Sequence, residues 1–381
     1  MKVLHIGKYY PPYAGGMEHF LSDLHCSLNK FGVKSSILVH QHESFKQITE
    51  TVQENIYQVP ILGTMMYTPV CPLFPFALNK IVKKIKPDIL HIHMPNISAF
   101  WIMGLSCTRH IPWIIHWHSD VVPSDIDKRM IIAYKFYKPF EYHLLKHAKE
   151  IIVTSEPYLE TSHPLSLWKD KCQVVPLGLD PLRFKQSNTQ IKHLWGESKY
   201  KVLAIGRLTY YKGHDFLIRA ASHLPDFKIL IVGEGEKREG LQKLINKLGV
   251  SKRVKLVGFL KKQDLHTLLS TCDCLCLPSV ERTEAFGLVI LEAMCFAKPV
   301  VASNISGPAW IIKHKKTGML VHPGNAKSLA EALKYIMEYP GLKNQMGADA
   351  IERFNHMFRI DIIAKKIINI YSKYCHDGIE K

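Results

Sequence analysis

Short apolar runs alternate along the chain with amphipathic stretches of helical period. The first run, at residues 3–6, is followed by two glycines, Gly15 and Gly16, and by residues 17–31, whose apolar side chains recur at helical spacing. A second apolar run follows at residues 35–39. A strand, a helix and a second strand in this order are typical of a parallel βαβ unit.

The alternation continues through the first half of the chain and restarts in the second. The first half is predicted to contain further strands at residues 88–93, 113–120 and 151–155, and helices at 76–87 and 128–149. The second half is predicted to contain strands beginning at residues 202, 227, 254, 275 and 300, and helices at 263–271, 326–337 and, after a break at 355–356, 359–374. Residues 181–201 are polar and weakly patterned, so the sequence predicts two α/β domains that meet there.

The composition is that of a folded globular protein with a strong positive charge. Apolar residues make up 47% of the 381 residues, which is enough for two domains at a prior of about 150 residues each. The 50 Lys and Arg outnumber the 33 Asp and Glu, so the net charge is +17. Such a charge favours phosphate-bearing ligands, an anionic membrane or nucleic acid, and it does not choose among them.

Cysteine usage and hydropathy restrict the setting in which the protein works. The nine cysteines form no CxxC pair, so we expect a reducing cytoplasm rather than a disulfide framework or a zinc site. Cys272, Cys274 and Cys276 alternate along a predicted strand, where small buried side chains explain them better than a metal site. The first residues read as a strand rather than a signal segment, and no apolar run of about 18 residues is present.

The clearest chemistry follows the strand that begins at residue 275. Glu284 lies in the next loop, and Glu292 lies inside the helix predicted after it. The N-terminus of that helix offers unpaired backbone donors to a phosphate, from Phe286, Gly287 and Leu288. Glu284 could accept hydrogen bonds from hydroxyl groups. Each glutamate could instead be an ordinary helix-terminal or solvated acid, but an unpartnered Glu292 would be costly among its apolar neighbours.

Polar residues also follow two other predicted strands. Arg207 and Lys212 come just after the strand at 202, where two cations would suit a diphosphate; ordinary surface charge is the alternative. His118 and Asp120 emerge at the end of the strand at 113–120. Ligands of open α/β sheets bind beyond the carboxyl ends of strands, but a histidine there can equally be a satisfied polar residue.

The helix predicted at residues 128–149 mixes lysines with aromatic residues. Its composition is typical of a helix that lies on an anionic lipid surface. It is equally consistent with a solvated basic helix that turns its aromatic side chains toward a core. The sequence leaves both interpretations open.

Several motifs in order along the chain resemble one known family. The most specific is Glu284-Ala285-Phe286-Gly287 with Glu292-Ala293. The others are Gly15-Gly16-x-Glu18, His118-Ser119-Asp120, Gly206-Arg207 with Lys212-Gly213, and Val232-Gly233-x-Gly235. Together they resemble glycosyltransferase family 4, the retaining nucleotide-sugar transferases of the GT-B fold, over essentially the whole chain. The sequence of residues 277–284 is similar to that of the mannosyltransferase-like branch, which builds O-antigen and other surface polysaccharides.

The resemblance implies a fold and a domain plan. It implies two Rossmann-like domains whose parallel sheets face each other across a cleft. Residues 1–180 would form the acceptor-binding domain and residues 181–357 the nucleotide-sugar-binding domain. Residues 358–381 would form a C-terminal helix that packs back on the N-terminal domain.

The resemblance also implies roles for individual residues. Arg207 and Lys212 would neutralise the leaving diphosphate, Glu284 would hold the donor sugar, and Glu292 would hold the ribose. His118 would lie beside the transferred sugar; His116 has the alternate strand direction, so a one-residue bulge could exchange their roles. Further donor contacts would come from Gly15, Gly16, Gly206, Gly233, Ala285, Phe286, Gly287 and Leu288.

The implied activity is transfer of a hexose, with mannose from GDP-mannose favoured, to a glycan or polyprenyl-linked acceptor. No metal and no cofactor is expected. A UDP-sugar transferase, a sugar-nucleotide epimerase and a phosphorylase are alternatives on the same plan, although no motif for a pyridoxal phosphate lysine is seen. Nucleic acid is disfavoured because the basic residues form no stripe. Peripheral contact with the anionic inner face of the membrane is expected from residues 80–86 and 128–149.

Overall fold

The structure is a computed structural model of the chain. It describes residues 1–13, 15–41, 49–51, 55–65, 68–121, 128–184 and 190–375. The chain divides into two compact units, an N-terminal unit of Met1–Leu179 with Ile360–Lys381 and a C-terminal unit of Asp180–Arg359. Among the described helices, none combines the length and the apolar character that a bilayer crossing requires.

The β-strands are defined in chain order. They are β1 (Lys2–Ile6), β2 (Lys34–Gln41), β3 (Thr49–Thr51), β4 (Ile56–Pro60), β5 (Gly63–Met65), β6 (Thr68–Val70), β7 (Ile89–Met94), β8 (Trp113–Trp117), β9 (Glu150–Val153), β10 (Cys172–Val174), β11 (Tyr200–Ile205), β12 (Phe227–Val232), β13 (Val254–Gly258), β14 (Cys274–Leu277), β15 (Val300–Ser303) and β16 (Gly318–Val321).

The α-helices follow the same order. They are α1 (Gly16–Lys30), α2 (Phe74–Ile85), α3 (Lys128–His147), α4 (Glu156–Thr161), α5 (His214–Ala220), α6 (Arg238–Lys247), α7 (Lys262–Thr271), α8 (Leu288–Cys295), α9 (Ser306–Ile311), α10 (Ala326–Glu338), α11 (Pro340–Met357) and α12 (Ile360–Ser372). Short 3-10 segments connect several of them, among them Ile97–Met103 between β7 and β8.

The N-terminal unit is built on an eight-stranded sheet in the order β10-β9-β8-β7-β1-β2-β4-β3. Neighbouring strands are parallel except β3, which pairs antiparallel with β4. The central strands β7 and β8 are buried along their whole length, as expected when both faces of a parallel sheet are covered. The predicted parallel βαβ pattern is therefore confirmed for the core of the sheet, while its edge carries an antiparallel strand.

Helix α12 belongs to the N-terminal unit although it is the last helix of the chain. It packs against α1, and its residues Ile363, Ile367 and Tyr371 have no exposed surface. The Tyr371 hydroxyl makes a short hydrogen bond with Nδ1 of His91 on β7. Burial of three large side chains at about 1.5–3 kcal/mol each explains why this helix is held on the unit.

The C-terminal unit is built on a six-stranded sheet in the order β13-β12-β11-β14-β15-β16. Every neighbouring pair is parallel. A buried cluster on this sheet includes Ile229 and Ile231 of β12 together with Leu217 of α5 and Leu333 of α10. All six strands end at one edge because they are parallel, so the loops after them lie together.

Two sequence interpretations of the helices and strands need correction. Residues 355–356 were predicted to break the helical pattern, but α11 continues to Met357 and the chain leaves it at Phe358. Cys272 was predicted to lie on a strand with Cys274 and Cys276, whereas it is the C-cap residue of α7 and precedes β14. All three thiols are buried, and burial raises the pKa of Cys272 to about 12.

Candidate functional site

The carboxyl edge of the C-terminal sheet collects the residues predicted from the second half of the sequence. Gly206 and Arg207 follow β11, Gly233 follows β12, and Ser279 follows β14 after one proline. The backbone N–H of Gly206 donates to the carbonyl of Val232 over 3.0 Å, so the ends of β11 and β12 are tied together.

Glycine is required where these two loops touch. Gly233 has a φ of +141°, and a Cβ atom there would lie 2.0 Å from the carbonyl oxygen of Gly206. The approach is backbone to backbone, so no side chain can move away to make room. The predicted donor-binding glycines Gly206 and Gly233 are therefore in direct contact at the sheet edge.

Lys212 and Glu284 form an ion pair at this edge. The Lys212 Nζ and Glu284 Oε2 atoms are 2.5 Å apart, and Ser279 Oγ donates to the same carboxylate oxygen over 2.9 Å. The two charged side chains are only 13% and 10% exposed. Burial lowers the pKa of Lys212, but the Glu284 carboxylate outweighs burial and the pKa is raised on balance. Lys212 is thus held as a cation.

The backbone holds the loops of Lys212 and Glu284 together. The N–H of Val280 donates to the carbonyl of Tyr211 over 2.8 Å. Gly213 has a φ of +63°, and a Cβ atom on it would lie 2.1 Å from the carbonyl oxygen of Pro278. The loop after β11 and the loop after β14 are therefore in van der Waals contact beside the ion pair.

Arg207 is exposed, in contrast to Lys212. Its charge acts on Lys212 by repulsion and is one of the influences that lower the pKa of that lysine. Two cations close to one another with one of them open to solvent are suited to an anion with several charges. The sequence prediction of a cation pair after β11 agrees with this arrangement, and its role in binding is still a prediction.

Helix α8 begins at the end of the Glu284 loop. Its N-cap residue is Gly287, with a φ of +88°, and no side chain caps the helix. The N–H of Ile290 donates to the carbonyl of Gly287 over 2.8 Å. Ala285 and Phe286 are buried, and Leu288 opens the helix. An uncapped helix N-terminus beside a glycine is a chemically competent anion site.

Glu292 lies inside α8 and has a charged partner that the sequence analysis missed. Its Oε1 atom accepts a hydrogen bond from an Arg183 guanidinium nitrogen over 2.8 Å, with side-chain exposures of 15% and 20%. Arg183 belongs to the short 3-10 turn at Pro181–Arg183, which lies within a stretch described as irregular by its sequence pattern. A lone arginine in such a stretch carries no spacing signal, and only the fold brings it to Glu292.

His214 is a second residue that sequence reasoning passed over. It follows Gly213, is 2% exposed and opens α5. Burial and the nearby Lys212 charge lower its pKa to about 3, so the ring is neutral. A neutral ring beside Lys212 adds no repulsion to a cation that is already buried.

The N-terminal unit holds the remaining predicted residues. Helix α1 begins at Gly16, and its N-cap residue is Gly15, which has no side chain to cap the helix. A Cβ atom on Gly15 would lie 2.0 Å from a carboxylate oxygen of Glu18, which is itself buried. The first turn of α1 therefore already holds a carboxylate close to Gly15 and Gly16, which were predicted to contact the donor.

His118 follows β8 and lies in a buried group of histidines. Its ring stacks on that of His116 at 4.4 Å and 4°, and both rings meet the edge of Phe20 on α1. His116 and His118 therefore lie on the same face of the strand. The sequence interpretation that they have alternate directions was wrong, because residues two apart on a strand share a face.

Asp120, which also follows β8, is engaged within the unit. Its Oδ1 atom accepts hydrogen bonds from Trp117 Nε1 over 2.8 Å and from Ser162 Oγ over 2.7 Å. These contacts hold the loop after β8 in place. A cavity of about 890 Å³ in the same unit lies at the other edge of the sheet, next to Trp113 at the start of β8, and it contains none of the predicted residues.

Comparisons with known proteins agree with these features. The family model described as "Glycosyltransferase Family 4" matches residues 14–183, and the one described as "Glycosyl transferases group 1" matches residues 185–353. An uncharacterized glycosyltransferase of Haemophilus influenzae is 33% identical over 87% of this chain and 90% of its own length. The O-antigen chain mannosyltransferase C of Escherichia coli is 28% identical over 98% of both chains.

The fold also matches solved structures. The Anabaena protein HepE, solved in complex with UDP-glucose, superimposes with a TM-score of 0.76 at 21% identity and covers 98% of this chain and 100% of its own. At that level of identity the likeness establishes the shared fold.

Proposed function

We propose that this chain, which belongs to the family 4 glycosyltransferases, transfers a hexose from a nucleotide sugar to a glycan or lipid-linked acceptor of surface-polysaccharide synthesis. The observation that carries the proposal is the constellation of Arg207, Lys212 and Glu284 at one sheet edge. Two cations and a carboxylate with an uncapped helix N-terminus beside them match the two halves of a nucleotide sugar, its diphosphate and its hydroxyl-bearing ring.

The diphosphate is the leaving group, and the cations stabilise its developing charge. Arg207 binds it through a planar fork of donors, and Lys212 acts as a buried point charge. The amides at Gly287 and Leu288 add donors that are fixed before the reaction. These groups supply the neutralising charge from the protein itself, and the mechanism we propose uses no metal ion.

Glu284 and Glu292 act on different parts of the donor. Glu284 accepts hydrogen bonds from hydroxyl groups of the transferred sugar, and the ion pair with Lys212 orients its carboxylate. Glu292 accepts from the ribose hydroxyls, and Arg183 holds the carboxylate in place. Retention of the anomeric configuration follows if the acceptor attacks the face from which the diphosphate departs and a phosphate oxygen takes the acceptor proton.

GDP-mannose is the favoured donor. This preference rests on the name of the Escherichia coli relative, a mannosyltransferase, and on the sequence of residues 277–284. A UDP-sugar is the second candidate, and it is favoured by the UDP-glucose complex of HepE. A thermal-shift titration with GDP-mannose, GDP, UDP-glucose and UDP separates them, because a ligand that binds the native state raises the melting temperature.

The same titration with two variants tests the site. Glu284→Gln should abolish the additional shift that the sugar nucleotide gives over its nucleoside diphosphate, while Glu292→Gln should weaken both. Equal shifts in the wild type and in Glu284→Gln would contradict the assignment of the sugar to Glu284. An epimerase would convert the donor without an acceptor, whereas the proposed transferase releases nucleoside diphosphate only when an acceptor is added.

An exposed apolar surface on the N-terminal unit favours a lipid-linked acceptor. Phe136 on α3 and Phe76 on α2 are each 73% exposed, and Trp101 lies 49% exposed on the 3-10 segment that contacts both helices. Lys135 and Lys138 on α3 are exposed beside Phe136. Exposed aromatics together with lysines are typical of contact with an anionic lipid surface.

A cavity of about 570 Å³ opens between the 3-10 segment and α3, with Met65 and residues 68–72 along another side. Most of its lining is apolar, including Met65, Val70, Pro95, Ile97, Trp101 and Tyr137. A site of this size and polarity suits part of a hydrocarbon chain. We therefore place the acceptor's lipid on this surface, at the inner face of the membrane.

Sedimentation with vesicles tests the membrane contact. The chain should sediment with anionic vesicles and not with neutral ones, and Phe136→Ser should reduce the bound fraction severalfold. Leu167→Ser is the matched control, because Leu167 is also 73% exposed in the same unit but lies outside the apolar surface. Binding that ignores lipid charge would count against the proposal.

A further inference from the structure

Three histidines of the N-terminal sheet form one hydrogen-bonded chain that ends at His118. His5 Nδ1 lies 3.1 Å from His93 Nε2, and His93 Nδ1 lies 2.9 Å from His118 Nε2. The remaining nitrogens, His5 Nε2 and His118 Nδ1, are buried and have no hydrogen-bond partner among the residues that the structure describes. His5 lies on β1 and His93 on the neighbouring strand β7, and His118 is the first residue after β8, which is the next strand of the sheet.

The hydrogen-bonded chain of His5, His93 and His118 can hold its protons in only two ways. Burial lowers the pKa of His5 and of His118 to about 3 and that of His93 well below its usual value, so each ring is neutral and carries one proton. If the His93 proton is on Nδ1, it donates to His118 Nε2, and the His118 proton must be on Nδ1. If the His93 proton is on Nε2, it donates to His5, and the His118 proton must be on Nε2. The tautomers of His93 and His118 are therefore the same.

A second chain of hydrogen-bonded side chains lies beside the first histidine chain. Tyr371 bonds to His91 Nδ1, and His91 Nε2 lies 3.3 Å from His116 Nδ1. The rings of the two chains stack, with His91 on His93 at 9° and His116 on His118 at 4°. Lone pairs of imidazole lie in the ring plane, so a metal ion cannot be shared between two stacked rings. Hydrogen bonding within each layer explains the five histidines better than a metal centre does.

The two ends of the first chain differ in what they can reach. His5 has no exposed surface and lies inside the sheet, while His118 is 7% exposed and follows the carboxyl end of β8. Either arrangement leaves one buried N–H without a partner, at His5 Nε2 or at His118 Nδ1, and such a group costs about 1–3 kcal/mol. His118 Nδ1 has no exposed surface in the free protein, so a ligand oxygen meets it only after the side chains over it move; His5 Nε2, inside the sheet, is out of reach of any ligand.

We propose that His5 and His93 are positioning residues that hold His118 with its proton on Nδ1, so that this N–H donates to an oxygen of a sugar ligand that binds at the carboxyl edge of the N-terminal sheet. The proposal deepens the proposed function and rests on it for the identity of the ligand. His93 does not touch the substrate; it acts by occupying His118 Nε2 with its own N–H. The neighbouring His116 belongs to the second hydrogen-bonded chain, with His91 and Tyr371, and does not position His118.

The tautomers can be measured directly by nitrogen NMR of the protein labelled with ¹⁵N-histidine, with and without GDP-mannose or UDP-glucose. We expect His93 and His118 to share a tautomer in the free protein and both to carry the proton on Nδ1 in the donor complex. Opposite tautomers in the two residues, or a His118 proton on Nε2 in the complex, would overturn the proposal. The free-protein result is independent of the enzyme's activity, so it tests whether the three histidines form the hydrogen-bonded chain even if the proposed function fails.

Substitution at His93 tests the effect on transfer. His93→Phe keeps a ring in the stack but removes the bond to His118, and we expect kcat to fall about 10- to 100-fold with little change in the donor KM. His93→Gln can still donate to His118 Nε2 and should restore most of the loss. Equal losses in the two variants would mean that the ring is needed only for packing, and the proposal would fail.

A matched control separates positioning from stability. His91→Phe disturbs the second chain at an equally buried site and should lower the melting temperature about as much as His93→Phe does. It should leave the His118 tautomer unchanged and reduce kcat much less. A His118 tautomer that changes in His91→Phe and not in His93→Phe would contradict the assignment of the two chains.

Discussion

The ammonium nitrogen of Lys212 and a carboxylate oxygen of Glu284 lie 2.5 Å apart, although the two residues are separated by 72 positions in the sequence. The pair joins the loop after β11 to the loop after β14. The Glu284 carboxylate raises the pKa of Lys212 on balance and so keeps it a cation in a partly buried place, as the donor-binding role that we propose for this edge requires.

Removal of either partner of this pair should reduce both activity and stability. Lys212→Met and Glu284→Gln each leave a charge without its partner, and we expect transfer to fall about 100- to 1000-fold. The free energy of unfolding should fall by about 3 kcal/mol in Lys212→Met, as measured by urea titration. The double variant should regain part of that stability and none of the activity. A double variant that loses the sum of both stability effects would show that the pair is not coupled.

Arg207 should matter for activity and hardly for stability. It is exposed, so Arg207→Ala should change the free energy of unfolding by less than about 0.5 kcal/mol. Its transfer rate should nevertheless fall at least about 100-fold, because a bidentate donor to the leaving diphosphate is lost. Arg219→Ala, at an exposed position of α5 in the same unit, is the control and should retain wild-type rates. Similar rates in the two variants would exclude the proposed role of Arg207.

Gly213 should tolerate no side chain. Gly213→Ala forces a left-handed backbone on alanine and brings its Cβ to 2.1 Å from the Pro278 carbonyl, which should cost about 2–4 kcal/mol of unfolding free energy. The contact between the loops of Lys212 and Glu284 would open, and transfer should fall with it. Gly240→Ala in α6 has open space around the new Cβ and should stabilise the protein by up to about 1 kcal/mol. A neutral Gly213→Ala would contradict this packing.

The buried histidines should make the protein sensitive to acid. The pKa of His5 is lowered from 6.5 to about 3 by burial and then by the His25 charge. Below pH 6.5 the unfolded chain therefore binds a proton that the folded chain does not, and stability falls as the pH falls toward 3. One pH unit below 6.5 the loss is about 1.4 kcal/mol for each such histidine.

Urea titrations between pH 7.5 and 5 check this sign. His5→Gln should make the decline of stability with pH shallower, because one titrating group is gone. His356→Gln, at an exposed position outside the cluster, should leave the slope as it is in the wild type. A stability that rises as the pH falls through this range would refute the neutral cluster.

Much of the fold follows from sequence patterns, because buried parallel strands appear as continuous apolar runs and amphipathic helices as apolar residues at helical spacing. The apolar face of α1 and the run of β12 are local signals, and they were predicted within a residue or two. Helix α11 was not predicted because its residues show no strong apolar stripe and it runs through positions 355–356. The antiparallel strand β3 has three residues, and its pairing with β4 depends on the free edge of the sheet rather than on a pattern within its own sequence.

The site divides in the same way. Arg207, Lys212 and Glu284 could be found because they follow strands, and every parallel strand ends at the same edge of its sheet. The Arg183 partner of Glu292 and the histidine chain could not, because both depend on the register of distant segments. His5, His93 and His118 meet only because β1, β7 and β8 are neighbours in the sheet, and no spacing in the sequence encodes that order.

We propose above that the sheet edge with Lys212 and Glu284 binds a nucleotide sugar for transfer. The most direct measurement is the release of nucleoside diphosphate from GDP-mannose, and in parallel from UDP-glucose, with and without a polyprenyl-linked glycan acceptor, by the wild type and by Glu284→Gln. We expect acceptor-dependent release from one of the two donors, and we expect this release to be lost in a Glu284→Gln protein that remains folded. Release that continues at the wild-type rate in Glu284→Gln would contradict it.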